Sequence, residues 1–139
     1  MGMYTELVLN SRFIDNTPKD VIEALQWMLE ANPEDEKPLI EHPLFELIRA
    51  KFMLRMGSFY FVPEHSSKMI SGFDDGKFTH LSIRCDLKNY ENEIETFLDW
   101  ICPYLDDEFL GYMRYEEDDD PTLIYQVDGK PKYSTHKQT

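Results

Sequence analysis

Within the stretch Lys77 to Lys88 the chain alternates from His80 onward, with Leu81, Ile83, Cys85 and Leu87 in one phase and His80, Ser82, Arg84 and Asp86 in the other. Successive side chains of a strand point to opposite faces, so this pattern specifies a half-buried strand with an apolar side and a polar side. Met3 to Phe13 reads the same way, with Thr5, Leu7 and Leu9 opposed to Glu6, Asn10 and Arg12. An apolar sheet face has to be covered, and the same chain supplies amphipathic helices to cover it.

The first helix is announced by Asn16-Thr17-Pro18. Thr17 suits a cap, Pro18 the first helical position, and Asp20 the positive end of the dipole. Val21, Ile22, Leu25, Met28 and Leu29 form its inward stripe, which runs to about Ala31. Asn32 to Pro38 is a polar, Pro-bounded loop. His42-Pro43 opens a short helix carrying Leu44, Leu47 and Ile48, and Phe52 to Met56 stays open between helix and strand. Phe59 to Val62 is predicted as a short strand ended by Pro63. Lys68 to Phe73 pairs with Lys77 to Lys88 through the turn Asp74-Asp75-Gly76. Asn89 is placed to cap a helix from about Tyr90 to Cys102, with Ile94, Phe97, Leu98, Ile101 and, beyond its end, Leu105 marking the buried face and Pro103 stopping or kinking it. Phe109 to Tyr115 and Leu123 to Val127 make a last hairpin. The order β-α-(α)-β-β-β-α-β-β predicts an α+β protein, a mostly antiparallel sheet with two main helices packed on one face. A ferredoxin-like connection is one way to wire it. Residues 1–128 are expected to form one domain. Residues 129–139 show no apolar period and are expected to fray.

Composition bounds the partners. With 42% hydrophobic and 14% aromatic residues, the chain has enough apolar surface for a core and is no disordered acidic tail. No run approaches the roughly 18 apolar residues a membrane span needs. The start, Met1-Gly2-Met3-Tyr4-Thr5-Glu6, has no basic and apolar leader, and Glu6 stands where a myristoylation signal wants Ser or Thr. Cys85 and Cys102 fit no zinc or redox spacing and read as two reduced core thiols. These features lead us to expect a cytoplasmic protein with no cofactor.

Charge is the most uneven property. The chain holds 27 Asp+Glu against 14 Lys+Arg, a net charge of −13, which opposes binding to nucleic acid and to anionic membrane. Between Glu91 and Asp128 lie 13 acids and one base, Arg114. Glu91, Glu95 and Asp99, at i, i+4 and i+8 of the expected helix, share one face with no base between them. Like charges at that spacing cost about 0.2–0.5 kcal/mol per pair, so the face calls for a reason: solubility, or a basic partner. Glu116, Glu117, Asp118, Asp119 and Asp120 form the turn of the last hairpin. Five consecutive acids with no glycine and a following Pro121 do not make a calcium loop, and no metal site is expected. Tyr112, Tyr115 and Tyr125 lie among these acids, and tyrosine offers apolar area with a polar tip at small entropic cost. The expected partner surface is therefore Glu91, Glu95, Asp99, Tyr112 and Glu116 to Asp120. A second candidate, for a small ligand such as a nucleotide, is the outward row His80, Ser82 and Arg84. His42, His65 and His136 sit in no metal or catalytic spacing. No GxSxG, Walker or GxGxxG motif is present, so no catalytic residue is expected.

Three stretches, Met1-Gly2-Met3-Tyr4-Thr5-Glu6, Arg84-Cys85-Asp86-Leu87-Lys88-Asn89-Tyr90 and Leu110-Gly111-Tyr112 through Tyr125, resemble small proteins of tailed bacteriophages and prophages. That resemblance brings no catalytic motif. It implies an accessory phage product in the cytoplasm of a bacterial host, a class whose members often block host defence, some as acidic decoys of nucleic acid. Residues and resemblance together lead to one expectation: a non-enzymatic acidic protein that engages a basic host protein, with a small-ligand binder or a small enzyme of unfamiliar motif as alternatives.

Overall fold

A computed structural model describes residues 3–30, 32, 34–72 and 76–135. The elements run β1 (Thr5–Arg12), α1 (Lys19–Glu30), 3-10 turns at Pro43–Glu46 and Met53–Arg55, and β2 (Lys68–Ser71). They continue with β3 (Phe78–Leu87), α2 (Glu93–Ile101), a 3-10 turn at Cys102–Tyr104, β4 (Phe109–Tyr115), β5 (Thr122–Val127) and β6 (Lys130–Thr135). The strands form one sheet in the order β2-β3-β1-β4-β5-β6, and every neighbouring pair is antiparallel. The fold is α+β, as expected.

Register follows from the alternation. Leu7 faces Cys85 and Leu9 faces Ile83, so one sheet face carries Leu7, Leu9, Leu81, Ile83, Cys85 and Leu87 into the core. Leu25 and Met28 of α1 and Phe97, Leu98 and Ile101 of α2 complete that core, all fully buried. A buried Leu, Ile, Phe or Met side chain contributes about 1.5–3 kcal/mol relative to exposure, so this layer dominates stability. Among the described residues no helix lies on the opposite sheet face. No helix among the described residues is long and apolar enough to cross a membrane.

Local chemistry moved several boundaries. Thr17 does not cap α1; its hydroxyl donates to the Ile14 carbonyl at 2.8 Å, and the helix begins at Lys19. Asn89 does serve α2, accepting from the Ile94 amide at 2.8 Å, but the helix starts only at Glu93. Asn92 holds a left-handed φ of 58° just before it and cuts the expected helix short at its start.

Phe59 to Val62 is not a strand but part of a tight loop. Its backbone bonds to itself and to Asp86: Ser58 N–H reaches the Val62 carbonyl at 2.9 Å, and Val62 N–H and the Ser58 hydroxyl both donate to Asp86 Oδ2 at 3.0 Å. A strand ladder had no claim left on those groups.

Residues 130–135 are not frayed; they form β6, paired along β5 from Thr122↔Thr135 to Val127↔Lys130. The turn is Asp128-Gly129, both at positive φ (53° and 78°), the geometry that a two-residue hairpin with an Asp-Gly turn adopts. Lys130, Pro131 and Lys132 mark β6 as an edge strand, which is why it lacks an apolar period. Ala31, the Asp74-Asp75 part of the expected β2–β3 turn, and residues 136–139 with His136 lie outside the described residues.

Candidate functional site: an acidic cleft at the start of α2

The expected acidic surface is brought together in part. Glu95 of α2 and Asp118 of the β4–β5 turn line one cleft of about 310 Å³, together with Tyr90, Tyr115, Thr5 and Thr122. Two features build it. The Asn89 side chain ties the α2 start to the loop before it, its amide donating to Glu95 Oε1 at 2.7 Å while its oxygen caps Ile94. The turn after β4 closes with Asp118 N–H on the Tyr115 carbonyl at 2.9 Å. The Tyr115 phenol is pushed up from its ordinary value, by burial first and then by Glu117, Glu116, Tyr90 and Asp118. Glu117, Asp118, Asp119 and Asp120 are all exposed beside this cleft.

Other expected members stand apart. Glu91 precedes the helix, so the i, i+4, i+8 row does not form. Asp99 is exposed and meets His42 Nε2 at 3.0 Å. His42 Nδ1 accepts from the Leu44 amide, so Nε2 carries the hydrogen directed at Asp99. Glu116 is a structural residue: its carboxylate accepts from the Tyr4 amide, and its backbone carbonyl takes the Tyr60 hydroxyl at 2.7 Å. Tyr112 faces the other side of the sheet, opposite Val8 and away from α2. Sequence reasoning also missed Glu93, which is fully buried, pairs with Arg49 at 3.3 Å and accepts from the Glu91 amide at 3.0 Å. No spacing rule marks such an acid, because its partner arrives from the loop before β2.

The row His80, Ser82 and Arg84 does lie along β3 on the open face. Arg84 is engaged there: Glu6 Oε2 lies 2.8 Å away. Burial opposes the Arg84 charge, but Glu6 and Tyr112 outweigh it and hold the guanidinium further into its charged range. Arg114 approaches the other oxygen of Glu6 at 3.5 Å. The loop at Ser58 to Val62 covers this end of the face, with the Phe61 ring 5.1 Å from the Arg114 guanidinium.

Among the described residues no three His, Cys, Asp or Glu side chains are grouped to hold a metal ion. Cys85 and Cys102 are buried free thiols, and burial pushes Cys102 up to about 12. A thiol held protonated in this way is a poor nucleophile. Comparison with known protein families, with curated proteins and with solved structures finds no match to the chain.

Proposed function

We propose that the chain is a non-enzymatic binding protein whose acidic end takes a basic segment of a protein partner. One observation carries this reading: Glu95 and Asp118, from different elements, flank a single cleft between Tyr90 and Tyr115. Carboxylates attract a Lys or Arg side chain, and tyrosine faces add cation–π attraction of about 0.5–2 kcal/mol. The exposed acids from Glu117 to Asp120 extend the negative field and would steer a basic partner toward the cleft. The likeness to phage accessory proteins favours a host nucleic-acid-handling or defence protein as that partner, with carboxylates standing where a phosphate backbone would lie.

The test is capture from a bacterial lysate at low and high salt with three proteins: wild type, Glu117→Lys with Asp118→Lys, and Glu34→Lys with Glu36→Lys in the first loop. All four positions are exposed, so stability should change by about 0.5 kcal/mol or less. A basic protein retained by wild type and by the loop variant, lost from the turn variant and lost at high salt, supports the proposal. Equal capture by all three proteins sinks it and leaves the charge as a solubility device.

A further inference from the structure

The charge of this chain is segregated by face. Eight strand residues are charged, and six of them are basic: Arg12, Lys68, Arg84, Arg114, Lys130 and Lys132. The register places all six on the face without helices. Arg84 and Arg114 flank β1 opposite Val8 and Glu6, Lys68 pairs with Ser82, Lys132 with Tyr125, and Lys130 with Val127. The two acids on that face, Glu6 and Asp86, are 3% and 1% exposed. The Asp106 and Asp107 carboxylates pair with Arg12 at 3.2 and 3.8 Å. Glu6 compensates Arg84 and Arg114, and the two aspartates compensate Arg12, so the excess positive charge of this face lies at Lys68, Lys130 and Lys132 in a chain of net charge −13.

Aromatic rings interleave these bases. Tyr112 packs beside Leu123, and Tyr125 stands across from Phe109 with ring centroids 5.2 Å apart. Phe109 is 51% exposed. Val8, Asn10 and Ser82 fill the middle of the surface. Polar neighbours and flanking lysines on a ring-bearing sheet face suit a strand of unpaired bases, which stack on rings while lysines follow the phosphates. An acidic protein surface would use the lysines but not the rings.

Net charge does not decide against this. The acidic cleft and turn act from the helix side or the β4–β5 end of the sheet. Solvent-exposed charges separated by more than about 8 Å are largely screened at physiological salt. Lys68, Lys130 and Lys132, exposed at the two edges of the sheet, are the charges a ligand lying on the face meets first, while Arg84 is held by Glu6 at 2.8 Å.

We propose that the open face of the sheet binds short single-stranded nucleic acid, through stacking on Tyr112 and Tyr125 and phosphate contacts to Lys68, Lys130 and Lys132. This goes beyond the acidic-cleft reading and uses the opposite face. The row of His80, Ser82 and Arg84 singled out in the sequence lies on this same face.

The experiment is fluorescence anisotropy of the full chain with a labelled single strand of about twelve nucleotides, between about 50 and 200 mM salt. Tyr112→Ala and Tyr125→Ala should each weaken binding by about tenfold, whereas Tyr112→Phe and Tyr125→Phe, which keep the ring, should bind like wild type. Lys132→Gln, at an exposed edge, should lower the slope of log affinity against log salt by about 0.7. Glu117→Lys with Asp118→Lys should leave the tyrosine dependence in place, so failure here and failure of the acidic cleft are separable. The proposal is overturned by absence of saturable binding at the lowest salt, by Tyr→Ala variants that bind like wild type, or by duplex binding that matches the single strand. Salt-sensitive self-association that the single strand does not displace also overturns it, and would assign the face to the acidic end of a second copy.

Discussion

Arg84 holds Glu6 at 2.8 Å from the neighbouring strand, and the carboxylate it grips is 3% exposed. Arg114 closes on the same carboxylate from the other side at 3.5 Å. Two guanidiniums share one buried acid at the covered end of an otherwise open sheet face.

Removing that acid should be costly. Glu6→Ala leaves Arg84 and Arg114, both part-exposed, with Asp86 across the strand pair as the remaining acid, and losing charge-assisted bonds of this kind costs about 1.5–3 kcal/mol. Urea unfolding of Glu6→Ala should show a midpoint well below wild type. A midpoint equal to wild type would mean that solvent already screens the three groups.

Gly111 is the backbone device of the sheet. Its φ is +153°, and a Cβ there would lie 2.0 Å from the Val8 carbonyl oxygen. It sits where the β4–β5 register shifts between Phe109 and Gly111. Gly111→Ala forces β1 and β4 apart and should destabilise the fold by roughly 2–4 kcal/mol. Thermal unfolding within a degree or two of wild type would show that the bulge relaxes freely.

The thiols set the alkaline limit of stability. Cys85 is pushed up from an ordinary value of 9.0, by burial first and then by Asp86. Cys102 rises to about 12 through burial and Asp99, and the Tyr133 phenol rises through burial, Glu95, Cys102 and Asp99. Folded pKa values above the unfolded ones mean that the unfolded chain releases protons first. Stability from these groups is complete below about pH 9 and falls as pH rises beyond it, by up to about 1.4 kcal/mol per pH unit for Cys85. The same burial should keep both thiols unreactive toward an alkylating reagent at pH 8 until denaturant is added, after which two groups titrate without reductant. Stability level to pH 11, or rapid labelling of the folded protein, would contradict this.

Much of the fold was legible because β1, β3, α1 and most of α2 each show one clean period. Leu81, Ile83, Cys85 and Leu87 could only be a strand face, and Val21, Leu25 and Met28 only a helix stripe. Legibility failed where a single side chain or turn overrode the pattern. Phe59 to Val62 has strand-forming residues, yet Asp86 takes its backbone donor at Val62. Lys130 to Thr135 lacks an apolar phase because an edge strand needs none, and the Asp128-Gly129 turn is its mark in the sequence. The acidic site was legible as a concentration of charge but not as a geometry. Asn92 removes Glu91 from the helix, and one strand phase sends Tyr112 to the opposite face from Glu95. The basic face was not legible at all, since it requires the strand order that puts Lys68, Arg84, Arg114 and Lys132 on one surface.

The acidic cleft is tested most directly by nuclear magnetic resonance of the isotope-labelled chain, titrated with a short peptide of lysine and arginine at low salt. Amide shifts should concentrate at residues 89–95 and 115–122, around Tyr90, Glu95, Tyr115 and Asp118, and should shrink as salt is raised. Shifts spread evenly over the surface, shifts centred on the open face at Val8 and Tyr112, or no shifts at low salt would contradict the assignment of that cleft as the partner site.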